Sequence, residues 1–140
     1  MGQKISVNTN WKGNMAFEAD VNGHKFMIDA DEKVGGQDQG PRPKPLMLAA
    51  LAGCTGMDVI SILKKMRVEL DDFDVDVQAE SSDEHPVSYT KMHIKYTFKG
   101  KDLPLDKIEK AVNLSQDRYC GVSDFYKKVI PITHEIIITE

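Results

Sequence analysis

Residues 45–67 read PLMLAALAGCTGMDVISILKKMR, and the fold class rests on how this stretch is understood. Pro45 suits the first turn of a helix, where its missing N–H costs nothing. From Leu46 to Cys54 every side chain is apolar or absent, so no polar face can be drawn on that half. A helix apolar all round is enclosed by protein. Beyond Asp58 the pattern becomes amphipathic, with Val59, Ile62, Leu63 and Met66 on one side. Lys64, Lys65 and Arg67 suit the negative end of the helix dipole. The stretch predicts one helix over about 45–66. Gly53 and Gly56 would each cost that helix about 1 kcal/mol against Ala, which predicts close approach of another backbone or room beside Cys54. One chain of 140 residues can hardly wrap such a rod, so a second copy is the expected partner.

Working outward toward the N-terminus, Ile5, Val7 and Thr9 alternate with polar residues and predict a strand leading to Trp11. Lys12-Gly13-Asn14 is a turn signal. Phe17 to Val21 reads as a second strand, Asn22-Gly23 as a hairpin turn with positive φ at both positions, and His24 to Asp29 as a third strand with Phe26 and Ile28 on one face. Residues 31–44, DEKVGGQDQGPRPK, are too rich in glycine and proline for a regular element. They predict a long polar loop, of the kind that is functional or mobile. Gly35, Gly36 and Gly40 are not followed by Lys-Ser/Thr, so a flexible loop is preferred to a phosphate cradle.

Toward the C-terminus, Phe73, Val75, Val77 and Ala79 alternate as a strand, Ser81 to Val87 form a loop, and Met92, Ile94, Tyr96 and Phe98 form a second strand ending at Gly100. Leu105, Ile108, Ala111, Val112 and Leu114 have helical spacing, entered through Pro104. Ser115 is expected to cap a further short helix, about 117–128, that carries Cys120. After Pro131, Ile132, Ile136 and Ile138 predict a terminal strand. The order is three strands, a long helix, two strands, two helices and a strand. The strands are clustered and look antiparallel, which is α+β, in a single domain over 1–140.

Apolar residues at 41% and charged residues at 29% are ordinary globular values. Eighteen Lys and Arg against 22 Asp and Glu give a net charge of −4, so a nucleic-acid partner is not expected. The opening MGQKISVNTN has no apolar core for a signal peptide. Gly2 and Ser6 fit a myristoylation pattern only superficially, with no second anchor. No apolar run reaches the roughly 18 residues of a spanning helix, so no membrane is expected and the cytoplasm is the default. Cys54 and Cys120 form neither a CxxC pair nor a zinc framework. A structural disulfide is not expected in a reducing compartment, and buried small hydrophobes are the simplest reading of two free thiols. Asp58 lies one turn beyond Cys54 on the same face and would disfavour a thiolate. Arg42 and Arg118 are the cations that could offset it. His24, His85, His93 and His134 show no ligand spacing, so no metal is expected and they read as structural or surface residues. No nucleophile elbow, Walker loop or dinucleotide glycine pattern is present.

Two motifs change the standing of the cysteines. Residues 40–67, GPRPKPLMLAALAGCTGMDVISILKKMR, and 114–136, LSQDRYCGVSDFYKKVIPITHEI, resemble the OsmC/Ohr family of osmotically induced and organic hydroperoxide resistance proteins, most closely its YhfA-like branch. The paired motifs are a G-x-R-P…L-x-x-A-L-x-G-C helix and a later L-S-x-x-x-Y-C. The resemblance implies an OsmC-like fold, with antiparallel sheets wrapped around long central helices in an intertwined homodimer. It implies that Cys54 attacks an organic hydroperoxide as the peroxidatic residue and becomes a sulfenic acid, which Cys120 resolves as a disulfide. It implies no bound cofactor and an external, lipoyl-type dithiol as reductant. In the catalytic branch an arginine held by a glutamate supports the thiolate. Here the glutamate position falls at Lys44 or Pro45, and the arginine position falls in the Trp11–Met15 turn, where only Lys12 is basic. Arg42 is the substitute cation and joins Cys54 and Cys120 as a candidate catalytic residue. The alternative is a non-catalytic OsmC-like module that binds an apolar small molecule or acts as a thiol redox sensor, since a fold does not fix a function.

Overall fold

The computed structural model describes residues 2–140. The chain gathers into two compact units, one ending at Met47 and one running from Leu48 to Glu140.

In the first unit, β1 (Asn8–Trp11), β2 (Phe17–Val21) and β3 (His24–Ile28) form an antiparallel meander in sequence order. Asn22 (φ 54°) and Gly23 (φ 80°) take the left-handed conformations that the tight turn between β2 and β3 demands. The first strand is shorter than its alternation suggests. Pairing starts at Asn8, opposite Asp20, while Ile5 and Val7 precede the strand and are exposed. Alternation without a partner strand does not make a ladder.

The loop after β3 is not the flexible segment that its composition suggests. It contains one 3-10 turn, Glu32–Val34, and is tied down by Asp29, which is 2% exposed. The Asp29 carboxylate accepts N–H bonds from Ala30 (2.7 Å), Gln37 (3.2 Å) and Gln39 (3.1 Å), and the Asp29 N–H donates to the Pro41 carbonyl at 3.1 Å. The amides of Gln39 and Ala30 above all hold this carboxyl below its usual range. A Cβ at Gly36 would stand 2.0 Å from the Ala30 carbonyl oxygen, and one at Gly40 would stand 2.1 Å from that of Met27. Those glycines serve close backbone contact rather than mobility.

The helix α1 (Leu46–Lys65) begins at the end of the first unit and runs through the start of the second. The second unit's sheet has the order β4 (Asp72–Ser81), β5 (Tyr89–Lys99), β6 (Ile132–Thr139). Strands β4 and β5 are antiparallel, with Val75 opposite Tyr96 and Phe73 opposite Phe98. Strand β6 corrects the antiparallel expectation: it runs parallel to β5, with Tyr96 opposite Ile136. A parallel return needs a crossover of a dozen residues or more, and α2 (Leu105–Leu114) and α3 (Gly121–Lys127) provide it.

Met92, Ile94, Tyr96 and Phe98 of β5, Leu51, Val59 and Leu63 of α1, and Ile108, Ala111 and Val112 of α2 form one buried core. Each large apolar side chain in it contributes about 1.5–3 kcal/mol relative to exposure. On α1 the fully covered residues are Leu51, Thr55, Val59 and Leu63, a narrow stripe at four-residue spacing. Met57 and Ile60 remain 76% and 44% exposed. By length and a mean hydropathy of 1.9, α1 is long and apolar enough to cross a membrane, which the apolar-run criterion missed; a helix packed in a protein core passes the same test. Neither of its two glycines is met by another backbone, and only Gly56 has a neighbour, at ordinary contact distance from a side chain. A Cβ at Gly56 would lie 3.5 Å from Val75 Cγ2, whereas nothing lies within 4 Å of one at Gly53.

The connection after α2 also differs from its expected form. The helix runs on through a π turn, Ser115–Tyr119, in which Ser115 keeps helical angles (φ −61°, ψ −50°) and is no N-cap. Cys120, extended at φ −78° and ψ 100°, is the residue that caps α3, its sulfur accepting the Ser123 N–H at 3.3 Å. Cys120 therefore stands just ahead of the short helix rather than inside it.

Candidate functional site

Four-residue spacing on α1 places Cys54 and Asp58 on one flank of the buried stripe, and both are half-buried. The turn between α2 and α3 delivers Cys120, 2% exposed. The sulfurs of Cys54 and Cys120 and a carboxylate oxygen of Asp58 all lie within 4.8 Å of one another. Both cysteines are free thiols. A disulfide has an S–S length of about 2.05 Å, so a modest approach of the sulfurs would join them.

Behind this trio lies a connected set of buried polar groups. The Ser115 hydroxyl donates to Asp58 Oδ2 at 3.0 Å. Thr55 Oγ1 lies 2.7 Å from Ser115 Oγ and 2.7 Å from the Tyr96 hydroxyl. The Gln116 amide donates to the Tyr96 hydroxyl at 2.9 Å and to Thr55 Oγ1 at 3.2 Å, and accepts from Ser123 Oγ at 2.8 Å. Each hydroxyl has one hydrogen to give, so the proton order follows from the Ser115–Asp58 bond. Ser115 spends its hydrogen on Asp58, Thr55 must donate to Ser115, and Tyr96 must donate to Thr55. No buried side-chain polar atom among the described residues lacks a partner. This network answers why Ser115 is not a helix cap: its hydroxyl is committed to α1.

Burial pushes the Cys120 thiol up to about 11, with its hydrogen bond to Cys54 and the nearby Asp58 charge acting in the same direction and the Ser123 N–H opposing them. Burial likewise raises the Tyr96 hydroxyl, partly offset by its bonds to Thr55 and Gln116. At neutral pH Cys120 is a protonated thiol. Cys54 is the more exposed of the two.

The structure thus brings Cys54, Cys120 and Asp58 together. Arg42 belongs to the first unit, where its guanidinium donates to Asp38 Oδ1 (2.7 Å) and to the Gly40 carbonyl (3.0 Å) and lies 3.7 Å from Asp31. Arg118 sits over the Tyr119 ring at 5.7 Å. Thr55, Tyr96, Ser115, Gln116 and Ser123 escaped sequence reasoning. Their one legible signal is a polar atom at a position whose periodicity points inward, as at Thr55 and Tyr96. The histidines behave as structural or surface groups. His93, for example, joins Thr133 (2.7 Å) and Glu135 (2.6 Å) across β5 and β6. Two thiols and a carboxylate are the donors here that could hold a thiophilic metal ion, one short of the usual four protein ligands of a structural zinc site.

Comparison with known proteins agrees with this picture. A family model described as OsmC-like protein matches residues 36–135. The protein YhfA of Escherichia coli strain K12 is 30% identical over 131 residues, 93% of this chain and 95% of that one. A hypothetical protein from Aquifex aeolicus VF5 superposes with a TM-score of 0.83 at 27% identity, covering 99% of this chain and 100% of that one. The organic hydroperoxide resistance protein OhrB of Bacillus subtilis shares the fold, with a TM-score of 0.66 at 18% identity over 96% and 98% of the two chains. Matched across most of its length by both the family model and a full-length relative, the chain belongs to the OsmC-like protein family.

Proposed function

We propose that this protein is a thiol peroxidase that reduces organic hydroperoxides, with Cys54 as the peroxidatic and Cys120 as the resolving residue. The observation that carries the reading is the approach of the two free sulfurs to within 4.8 Å from separate elements. Their unequal exposure supports the division of labour. Cys54 is the more exposed, while Cys120 is buried and protonated until a sulfenic acid forms beside it. Arg42 is put forward as the supporting cation for its place in the G-x-R-P motif alone; its guanidinium is paired with Asp38 and Asp31. An external dithiol returns the disulfide to two thiols, and two free cysteines suit a reducing cytoplasm. A second copy is proposed to cover the exposed Met57 and Ile60 of α1.

The test is intact mass spectrometry of the reduced protein after brief exposure to cumene hydroperoxide, hydrogen peroxide or buffer. Loss of two hydrogens with the organic peroxide, mapped to a Cys54–Cys120 bridge, is the expected result. Cys54→Ser should abolish peroxide consumption, and Cys120→Ser should leave a trapped sulfenic acid on Cys54. Thiols that stay unreacted in all three solutions refute the peroxidase and favour a binding module, a reading that the raised Cys120 thiol, inert on its own, also fits.

A further inference from the structure

We infer that Asp58 is the proton carrier of this site: it takes the proton of the attacking thiol and returns it to the departing oxygen. The inference rests on the peroxidase reading and adds a third reacting group to the cysteine pair. In the first step the Cys54 sulfur attacks the outer oxygen of a hydroperoxide ROOH. The S–O bond forms, the O–O bond breaks, and the Cys54 proton passes through the Asp58 carboxylate to the departing alkoxide, giving Cys54–SOH and ROH. In the second, Cys120 sulfur attacks the Cys54 sulfur. The S–S bond forms, the S–O bond breaks, and the Cys120 proton travels by the same carboxylate to the leaving hydroxide, giving water. A dithiol then reduces the bridge.

Two observations support this role. A carboxylate oxygen of Asp58 lies within 4.8 Å of both sulfurs, so one group can serve both steps. The buried network also closes the carboxylate's inner side. Tyr96, Thr55 and Ser115 already point their hydrogens toward Asp58. The far end of that chain is the Gln116 amide, which donates to Tyr96 and whose oxygen is taken by Ser123. A proton arriving at Asp58 has no hydroxyl able to relay it inward, so it leaves on the outer side of the half-buried carboxylate, where the thiols lie. Tyr96, Thr55 and Ser115 are accordingly positioning residues that fix the carboxylate.

The same carboxylate could instead merely repel a thiolate, and the two roles predict opposite signs. The titratable groups around the trio and its network are the two cysteines, Tyr96 from β5, Tyr126 and Lys127 from α3, and His134 from β6. The His134 ring stands edge-on to Tyr96 at 6.0 Å, and burial holds it below its usual range, Lys127 adding to that shift and Asp117 opposing it. Burial raises both tyrosines, which keeps them neutral below pH 9, and Lys127 Nζ is bonded to the Gln116 carbonyl at 2.9 Å. The rate of Cys54 oxidation by cumene hydroperoxide is followed from pH 5 to 9 in the full chain and in Asp58→Asn. General acid–base catalysis of this kind is worth on the order of 10²-fold or more. Asp58→Asn is therefore expected to be slower by that factor at pH 7, and to recover only as the thiol ionises. A variant as fast as the parent, or faster, overturns the inference. Should Asp58→Asn fail to fold, the parent's own profile decides: a rate strictly proportional to hydroxide from pH 5 to 8 overturns it, and a shallower dependence supports it. If the parent consumes no peroxide, the peroxidase reading falls separately. Alkylation of Cys54 by neutral iodoacetamide in Cys120→Ser then reads proton removal alone, with Asp58 expected to accelerate it at pH 6–7 and an acceleration by Asp58→Asn counting against it.

Discussion

Thr55→Val and Tyr96→Phe remove hydroxyls at opposite ends of one 2.7 Å hydrogen bond, yet their costs should differ. Val keeps the shape of Thr. Its introduction deletes the Thr55–Ser115 bond and the weaker Gln116 bond, and leaves the Tyr96 hydroxyl hydrogen without an acceptor in a site where Tyr96 is fully buried. Stranding a buried donor costs about 1–3 kcal/mol, and an ordinary hydrogen bond contributes about 0.5–1.5 kcal/mol net. Thr55→Val should therefore lose about 3 kcal/mol. Tyr96→Phe strands less, because Thr55 still donates to Ser115 and one Gln116 N–H still reaches Thr55, leaving only the Gln116 N–H that had donated to Tyr96 without its acceptor. Its loss should be nearer about 2 kcal/mol. Urea denaturation at one fixed protein concentration measures both, since the slope against denaturant checks that the unfolding transition is unchanged. If Tyr96→Phe costs as much as Thr55→Val, the hydrogens run the other way, and the proton order assigned to the network is wrong.

The raised Cys120 thiol makes stability depend on alkaline pH. Its stabilising share is complete below the ordinary thiol value of 9.0 and is lost as pH rises through about 11; Cys120→Ser should flatten that part of a pH–stability curve measured under reducing conditions. Asp29 works in the opposite sense. Its folded-state value is depressed, so its contribution is full above the ordinary carboxyl value of 3.8 and fades as pH falls below it. Asp29→Ala should lower the melting temperature at pH 7 more than at pH 3, and an equal drop at both would remove the carboxylate from the account. Arg42→Ala should raise the Cys54 thiol pKa, followed by thiolate absorbance, if Arg42 is the supporting cation; an unchanged titration takes it out of the mechanism.

Much of this architecture is written in local periodicity. Alternating Met92, Ile94, Tyr96 and Phe98 give β5, and the change to helical spacing at Leu105 gives α2, because each pattern has one buried face to satisfy. What stays illegible depends on distant partners. The direction of β6 is set by the crossover through α2 and α3, not by its own residues. Ser115 has the chemistry of an N-cap, but Thr55 and Asp58 claim its hydroxyl, and no sequence window contains all three. The same holds for the site. Cys54 and Cys120 are found through motifs, and Asp58 through its four-residue spacing. Tyr96 and Gln116 look like ordinary strand and helix residues until their polar tips are seen to meet.

Cys120 has two employments. Its sulfur is one of the pair, and it is also the atom that ends the first turn of α3, holding the Ser123 amide at 3.3 Å. A bond that drew this sulfur toward Cys54 would take it from that amide, while the Ser123 and Lys127 side chains keep the seven-residue helix tied to Gln116. A change in the oxidation state of the two sulfurs would thereby be expressed on an outer turn that carries Phe125, itself 68% exposed. Amide exchange at Ser123 is a gauge of sulfur chemistry that needs no access to sulfur.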